Sequence, residues 1–196
     1  ARTGIWQRAP EGGTAPNRAS ELAATPYGPF DREEQVPWHR QVTDAVHAAD
    51  PACRICLQIL HAGPLARSED PVAPSAIASL LNPRAPRAMT EEDIEETLAD
   101  FARCARLARA AGYDGVEIIG SAGYLLSTFL LEKTNQRRDR WGGSYGNRMR
   151  FPLAVVRRVR EAVGDDFIVI YRIAAMEMMA DGSSWEEVVQ LGKAVE

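Results

Sequence analysis

Lysine is nearly missing from this chain: of 23 basic residues, only Lys133 and Lys193 are not arginine. Cysteine is scarce too, with three in 196 residues. An odd, low count excludes a disulfide scaffold and fits a reducing, cytoplasmic setting. No apolar run approaches the roughly 20 residues that span a bilayer, so no membrane partner is expected. Net charge is -4 and positive charge is not in excess, which speaks against nucleic acid as a partner. No GxGxxG follows a strand, no Walker loop is present, and no HExxH or Ser-His-Asp pattern occurs. No metal site is expected: Cys53 and Cys56 form a CxxC without a second ligand pair, and Cys104 sits alone on a helix. Strand alternation would send Cys53 and Cys56 to opposite faces, so all three read as structural. The first residue is Ala1 rather than methionine, and a piece of a longer chain is expected.

What remains is the pattern of an ordinary globular chain, 45% hydrophobic and 26% charged. The stretch up to Pro37 is broken by glycines and prolines and reads as irregular. A short amphipathic helix is expected over 38–49, a buried strand over 54–60, and a loop over 63–88. Thr90, followed by Glu91, Glu92 and Asp93, starts the best-defined helix, and Gly112 ends it. A strand over 115–119, a short helix over 124–131 and a polar loop over 134–144 follow. Gly142-Gly143 precedes a helix but follows no strand, so a plain turn is favoured over a phosphate cradle. A helix over 147–163, a strand over 167–171 and a capped helix over 185–195 complete the order.

Three apolar strands alternating with helices imply parallel pairing through right-handed crossovers. A doubly wound sheet and a (β/α) barrel both satisfy that pattern. In either, ligands meet the carboxyl ends of the strands. Those ends carry Gln58, Tyr124 and Arg172, which could converge on one mouth as amide, phenol and cation. Each has a plain alternative: a satisfied core amide, a packed ring, a strand-end ion pair. His61 reads more readily as a hydrogen-bonded structural residue than as a base.

Four segments at matching spacing, LQILHAG (57–63), DFARCARLARAAGYDGVEIIGSAGYL (100–125), TNQRRDRWGGSYGNRMRFP (134–152) and FIVIYR (167–172), resemble the old yellow enzyme family of FMN-dependent oxidoreductases. Within it they resemble the bacterial NADPH-dependent 2,4-dienoyl-CoA reductases. GGTAPN (12–17) looks like the family's second strand exit. The resemblance implies an α/β fold, a partial (β/α)8 TIM barrel of roughly strands 2 to 5, with 1–196 as one incomplete FMN-binding domain. It implies FMN as cofactor and NADPH as electron source, with FAD and 4Fe-4S groups belonging to modules outside this sequence.

By the same resemblance, Gly13 lets backbone approach the flavin and Gln58 bonds its pyrimidine edge. Arg172 stabilises negative charge on the reduced ring, and Tyr124 gives a proton after hydride transfer to an activated C=C. Lys133 stands where a basic residue contacts acyl-CoA, so an acyl-CoA or enone is the implied small-molecule partner. Related enone or steroid reduction, amine dehydrogenation, and a non-catalytic fragment associating through open barrel edges are the alternatives. Three positions depart from the pattern. Ile119 and Ala122 replace the histidine pair of the enone-reducing branch, and Pro64 replaces an arginine. The polar, proline-containing run from Trp6 to Glu11 is also a poor match for the barrel's first strand.

Overall fold

The structure, a computed structural model, describes residues 5–7, 13–22, 28–78, 83–176 and 182–196. In chain order the elements are β1 (Ile5–Gln7), α1 (Val36–Ala49), β2 (Arg54–Ile59), β3 (Val72–Ala73), β4 (Arg87–Ala88) and α2 (Glu91–Ala110). They continue with β5 (Gly115–Gly120), α3 (Leu125–Leu130), α4 (Tyr145–Arg148), α5 (Arg150–Val163), β6 (Ile168–Ile173) and α6 (Trp185–Val195).

β1, β2, β5 and β6 form one parallel sheet in that order, and β3 pairs with β4 in a small separate one. Strand order follows chain order and never reverses. A doubly wound sheet reverses at a switch point, whereas a barrel does not. The helices agree, because they share a single face of the sheet. Ile55, Leu57 and Ile59 of β2, Val116 and Ile118 of β5, and Val169 and Tyr171 of β6 join one apolar cluster with side chains of α1, α2 and α5. Alternate residues of each strand therefore meet the helical layer, and Gln58, Glu117 and Arg172 fall on the opposite, barrel-inward face. The chain is an arc of a (β/α) barrel.

Local chemistry explains where the helices begin. Thr90 Oγ1 accepts from the Asp93 N–H at 3.1 Å, while the Asp93 carboxylate accepts from the Thr90 N–H at 2.6 Å. Ser184 and Glu187 repeat this reciprocal cap at α6. Phe129 of α3 stacks on Phe151 of α5 at 4.2 Å between centroids, with Trp141 edge-on to Phe151.

Several expectations need correction. The stretch to Pro37 is not wholly irregular, since Ile5–Gln7 pairs with Arg54–Cys56. Three residues complete barely one alternation, so no period announces them, and the free edge of β2 supplies the backbone partners. The sheet therefore has four strands, one more than hydrophobic periodicity alone reveals and the number that the resemblance implies. The remainder of the polar run at 8–11 lies outside the described residues. The loop over 63–88 contains both β3 and β4, which pair with each other. The helix expected over 147–163 divides into α4 and α5 at Met149. Helix α1 begins at Val36, with Pro37 tolerated in its first turn. Cys53 directly precedes β2, as the expected start at Arg54 requires. All three cysteines are buried and free, and burial, with the Asp114 and Glu117 charges, pushes the Cys56 thiol up to about 11.

Candidate functional site

The exit of β2 is held from two sides. On one edge, the Thr14 N–H donates to the Gln58 carbonyl at 2.8 Å, and Thr14 O accepts from the Leu60 N–H at 3.0 Å. This fixes Gly13 against the strand. A Cβ built on Gly13 would lie 2.5 Å from Leu60 Cβ and 3.1 Å from Gln58 Cγ, so only glycine fits. On the other edge β5 runs in register, with Gln58 opposite Glu117.

That pairing produces the central feature. Gln58 Nε2 donates to Glu117 Oε2 at 2.6 Å, and an Arg172 guanidinium nitrogen stands 3.9 Å from Glu117 Oε1. Glu117 is 5% exposed, Gln58 half-buried and Arg172 exposed. One buried carboxylate therefore joins an amide on β2 to a cation on β6. Arg172 reaches it because Ile170 is Glu117's partner, and Arg172 lies two residues on, on the same face.

Tyr124 approaches the same exits from above. The turn out of β5 places Ala122 and Gly123 in consecutive left-handed conformations, φ 62° and 75°. Such a pair reverses the chain sharply at a steric cost to the alanine. Tyr124 then sits at the N-cap of α3, half-buried against the cluster of Leu60, Ala62, Ala66 and Ile119. Leu60 and Ile119 are each two residues beyond Gln58 and Glu117. Amide, cation and phenol thus share one rim. Lys133 does not join them. It is exposed in the turn after α3, and no described contact connects it with the group.

His61, one residue past Leu60, is 2% exposed. Its Nδ1 accepts from the Gly63 N–H at 3.0 Å, its ring stacks on Phe101, and its carbonyl accepts from the Leu125 N–H. Burial pushes its pKa from 6.5 down to about 3, so the ring is neutral at ordinary pH. It is a brace for the turn rather than a base. The unfolded chain takes up this proton near 6.5, so His61's contribution is whole above that pH and drains away as pH falls toward 3. Within that window each pH unit removes up to about 1.4 kcal/mol. His61→Asn, whose side-chain oxygen replaces Nδ1 as acceptor, is expected to flatten the fall in urea-unfolding free energy between pH 7 and pH 4. Equal slopes for the two proteins would contradict this reading of the histidine.

The long motif over 134–152 proves to be framework. Asn135 Nδ2 donates to the Phe129 and Trp141 carbonyls at 2.7 and 2.8 Å, and Arg137 binds the Pro74 and Met89 carbonyls. Gly142 packs its Cα against the Arg137 backbone, which makes Gly142-Gly143 a packed turn. Among the described residues no group of three or more His, Cys, Asp or Glu could hold a metal, and no helix is long and apolar enough to cross a membrane.

The sequence pattern of the NADH:flavin oxidoreductase / NADH oxidase family matches residues 11–196. The chain belongs to that family. Its relatives in the family include a metal reductase of Desulforamulus reducens, 46% identical over 154 residues, and an NADH oxidase of Thermoanaerobacter brockii, 38% identical over 172. These alignments cover 76% and 85% of this chain but 23% and 26% of the relatives, so the chain spans about a quarter of their length. A 2-naphthoyl-CoA reductase in complex with 2-naphthoyl-CoA superposes with a TM-score of 0.87 at 28% identity, over 93% of this chain and 30% of that one. The old yellow enzyme homologue of Zymomonas mobilis gives 0.83 at 29%, over 93% and 55%. Membership in this family agrees with the partial barrel.

Glu117 is the residue that sequence reasoning did not single out. A charge inside the otherwise apolar GVEII was its available signal, because a strand covered on both faces holds a carboxylate only when it is paired.

Proposed function

We propose that residues 1–196 form the cofactor-facing part of an FMN-dependent ene-reductase acting on a conjugated acyl-CoA thioester. The observation that carries this reading is the Gln58–Glu117–Arg172 group on the inward face of the barrel arc. Its donor set suits FMN: an amide matches the hydrogen-bonding edge of a planar heterocycle, and a guanidinium matches the negative charge that reduction adds. Gly13 supports the fit by shaping the same exit, where its lack of a Cβ lets the chain pack closely on Leu60 and Gln58.

Bound FMN supplies the electron pair for reduction of the substrate alkene. Arg172 offers fixed positive charge at the rim, and Gln58 orients the ring through its amide. Tyr124 presents a phenol above an apolar floor of Leu60 and Ile119, placed to give a proton to the carbon that becomes basic. Exposed Lys133 is available to the thioester's phosphates as a mobile point charge. The likeness to a naphthoyl-CoA reductase supports the acyl-CoA class. NADPH as donor, a cytoplasmic setting, and FAD and 4Fe-4S groups in further modules belong to the same proposal.

Titrating the protein with FMN tests it: binding is expected to shift and sharpen the flavin absorbance bands. Gly13→Val is expected to weaken uptake by at least about tenfold, or about 1.4 kcal/mol, since its side chain has no space beside Leu60. No spectral change at high micromolar FMN would overturn the assignment. A dienoyl-CoA, a cyclic enone and a secondary amine then separate the substrate classes, and turnover of the amine alone would replace ene-reduction with amine dehydrogenation.

A further inference from the structure

We propose that Glu117 is the positioning residue of the flavin site, setting both the orientation of the Gln58 amide and the effective charge of Arg172. The proposal rests on the functional reading above and adds to it a residue that need not touch the cofactor.

The order of the site follows from what a carboxylate can do. Ionised, it only accepts hydrogen bonds, so the end of Gln58 that faces it must be the Nε2 donor. At 2.6 Å that bond is short and charge-assisted. Oε1 is thereby turned away from Glu117, and it has no hydrogen-bond partner among the described residues. An amide left free could present either end to a ligand, whereas this one presents a defined acceptor beside a single remaining N–H. Recognition of a planar edge that alternates donors and acceptors depends on that order.

Glu117 also acts through its charge. Arg172 lies on the exposed, inward side of Glu117, 3.9 Å from Oε1. Glu117 is fixed by register between β2 and β6, and its burial keeps water from screening it. The cation seen by anything at the rim is therefore a guanidinium partly offset by a carboxylate behind it. A bare arginine would favour the reduced, negatively charged cofactor more strongly. Glu117 holds that preference down, which places the redox potential low enough for electrons to move on to an alkene.

A purely structural carboxylate would affect folding and leave the potential alone, so the potential of the FMN-loaded protein is the deciding readout. Glu117→Gln is expected to favour reduced over oxidised FMN by about tenfold, a positive shift of about 30 mV for a two-electron couple. In an Arg172→Gln background the same substitution is expected to move the potential far less, because the charge it uncovers is gone. Glu117→Asp keeps the charge but withdraws it from the amide, so FMN affinity should fall about tenfold with the potential held. It serves equally well should the Gln variant not fold. An unchanged potential in Glu117→Gln, an equal shift in both backgrounds, or unaltered affinity in Glu117→Asp overturns the inference alone. Failure of the unsubstituted protein to take up FMN defeats the functional reading, and the inference with it.

Discussion

Replacing Arg148 with methionine is expected to lower the unfolding free energy by about 2–3 kcal/mol, mainly the cost of leaving the buried Leu130 carbonyl without its donor. Arg148 is 7% exposed, and its guanidinium makes three hydrogen bonds beside a 3.7 Å ion pair with Glu132. Nε donates to the Leu130 carbonyl at 2.7 Å, closing the C-terminal end of α3. Nη1 donates to the Gly143 carbonyl at 2.8 Å, pinning the glycine turn, and Nη2 donates to Glu187 Oε1 at 3.1 Å. Glu187 is also the reciprocal cap of α6, so a single guanidinium connects α3, the 142–144 turn and α6. The Tyr145 ring lies beneath it, 5.4 Å from centroid to Cζ. Methionine retains the volume, and the cost therefore comes from carbonyls left without donors rather than from a cavity. Urea unfolding at constant m checks the value. Adding Glu187→Gln should cost little more, since Glu187 keeps access to water. A loss below about 1 kcal/mol for Arg148→Met would show that the carbonyls find other partners.

The same residue marks a limit of sequence reading. Arg148 lies within the TNQRRDRWGGSYGNRMRFP segment that carried much of the family resemblance, and nothing in its spacing distinguishes an arginine that holds carbonyls from one that holds a substrate. Asn135 and Trp141 were hidden in the same way inside a segment read simply as polar loop, because loops satisfy their backbone groups through particular side chains without any period. Helices were far more legible. Thr90 and Ser184 announce their caps, and Gly112 and Gly164 stop α2 and α5 with φ of 84° and 75°. β1, β3 and β4 are only two or three residues long, too short for alternation to register.

The site divides along a similar line. Gln58, Tyr124 and Arg172 could be proposed because strand exits are where an α/β chain meets its ligands. Their common rim depended on the register among three strands, and register is a long-range property set by the whole sheet. Without it, Glu117 is one acid in an apolar run. With it, Glu117 stands directly opposite Gln58 and two residues short of Arg172 on the same face. The open choice between a doubly wound sheet and a barrel had the same origin, because alternation of strands and helices is common to both and only the order of pairing separates them.

Tyr124→Phe is expected to slow reduction of the activated alkene by about 100- to 10,000-fold, the usual span for loss of a positioned general acid. Reduction of bound FMN by the nicotinamide should be unaffected, since that half-reaction does not call on the phenol. The substitution is structurally mild. Tyr124 makes no side-chain capping bond at α3. Its carbonyl accepts from Ser127 Oγ at 2.9 Å and from the Thr128 N–H at 3.0 Å, and both contacts involve only backbone that phenylalanine keeps. The ring contacts with Leu60, Ala62 and Ile119 likewise need no hydroxyl. Stability should therefore change by less than about 1 kcal/mol, so slower turnover would report on chemistry and not on folding. Stopped-flow measurement of the two half-reactions separates them. Unchanged alkene reduction would assign the proton to water or to another side chain, and Tyr124 would be left as a packing residue over the apolar floor of the rim.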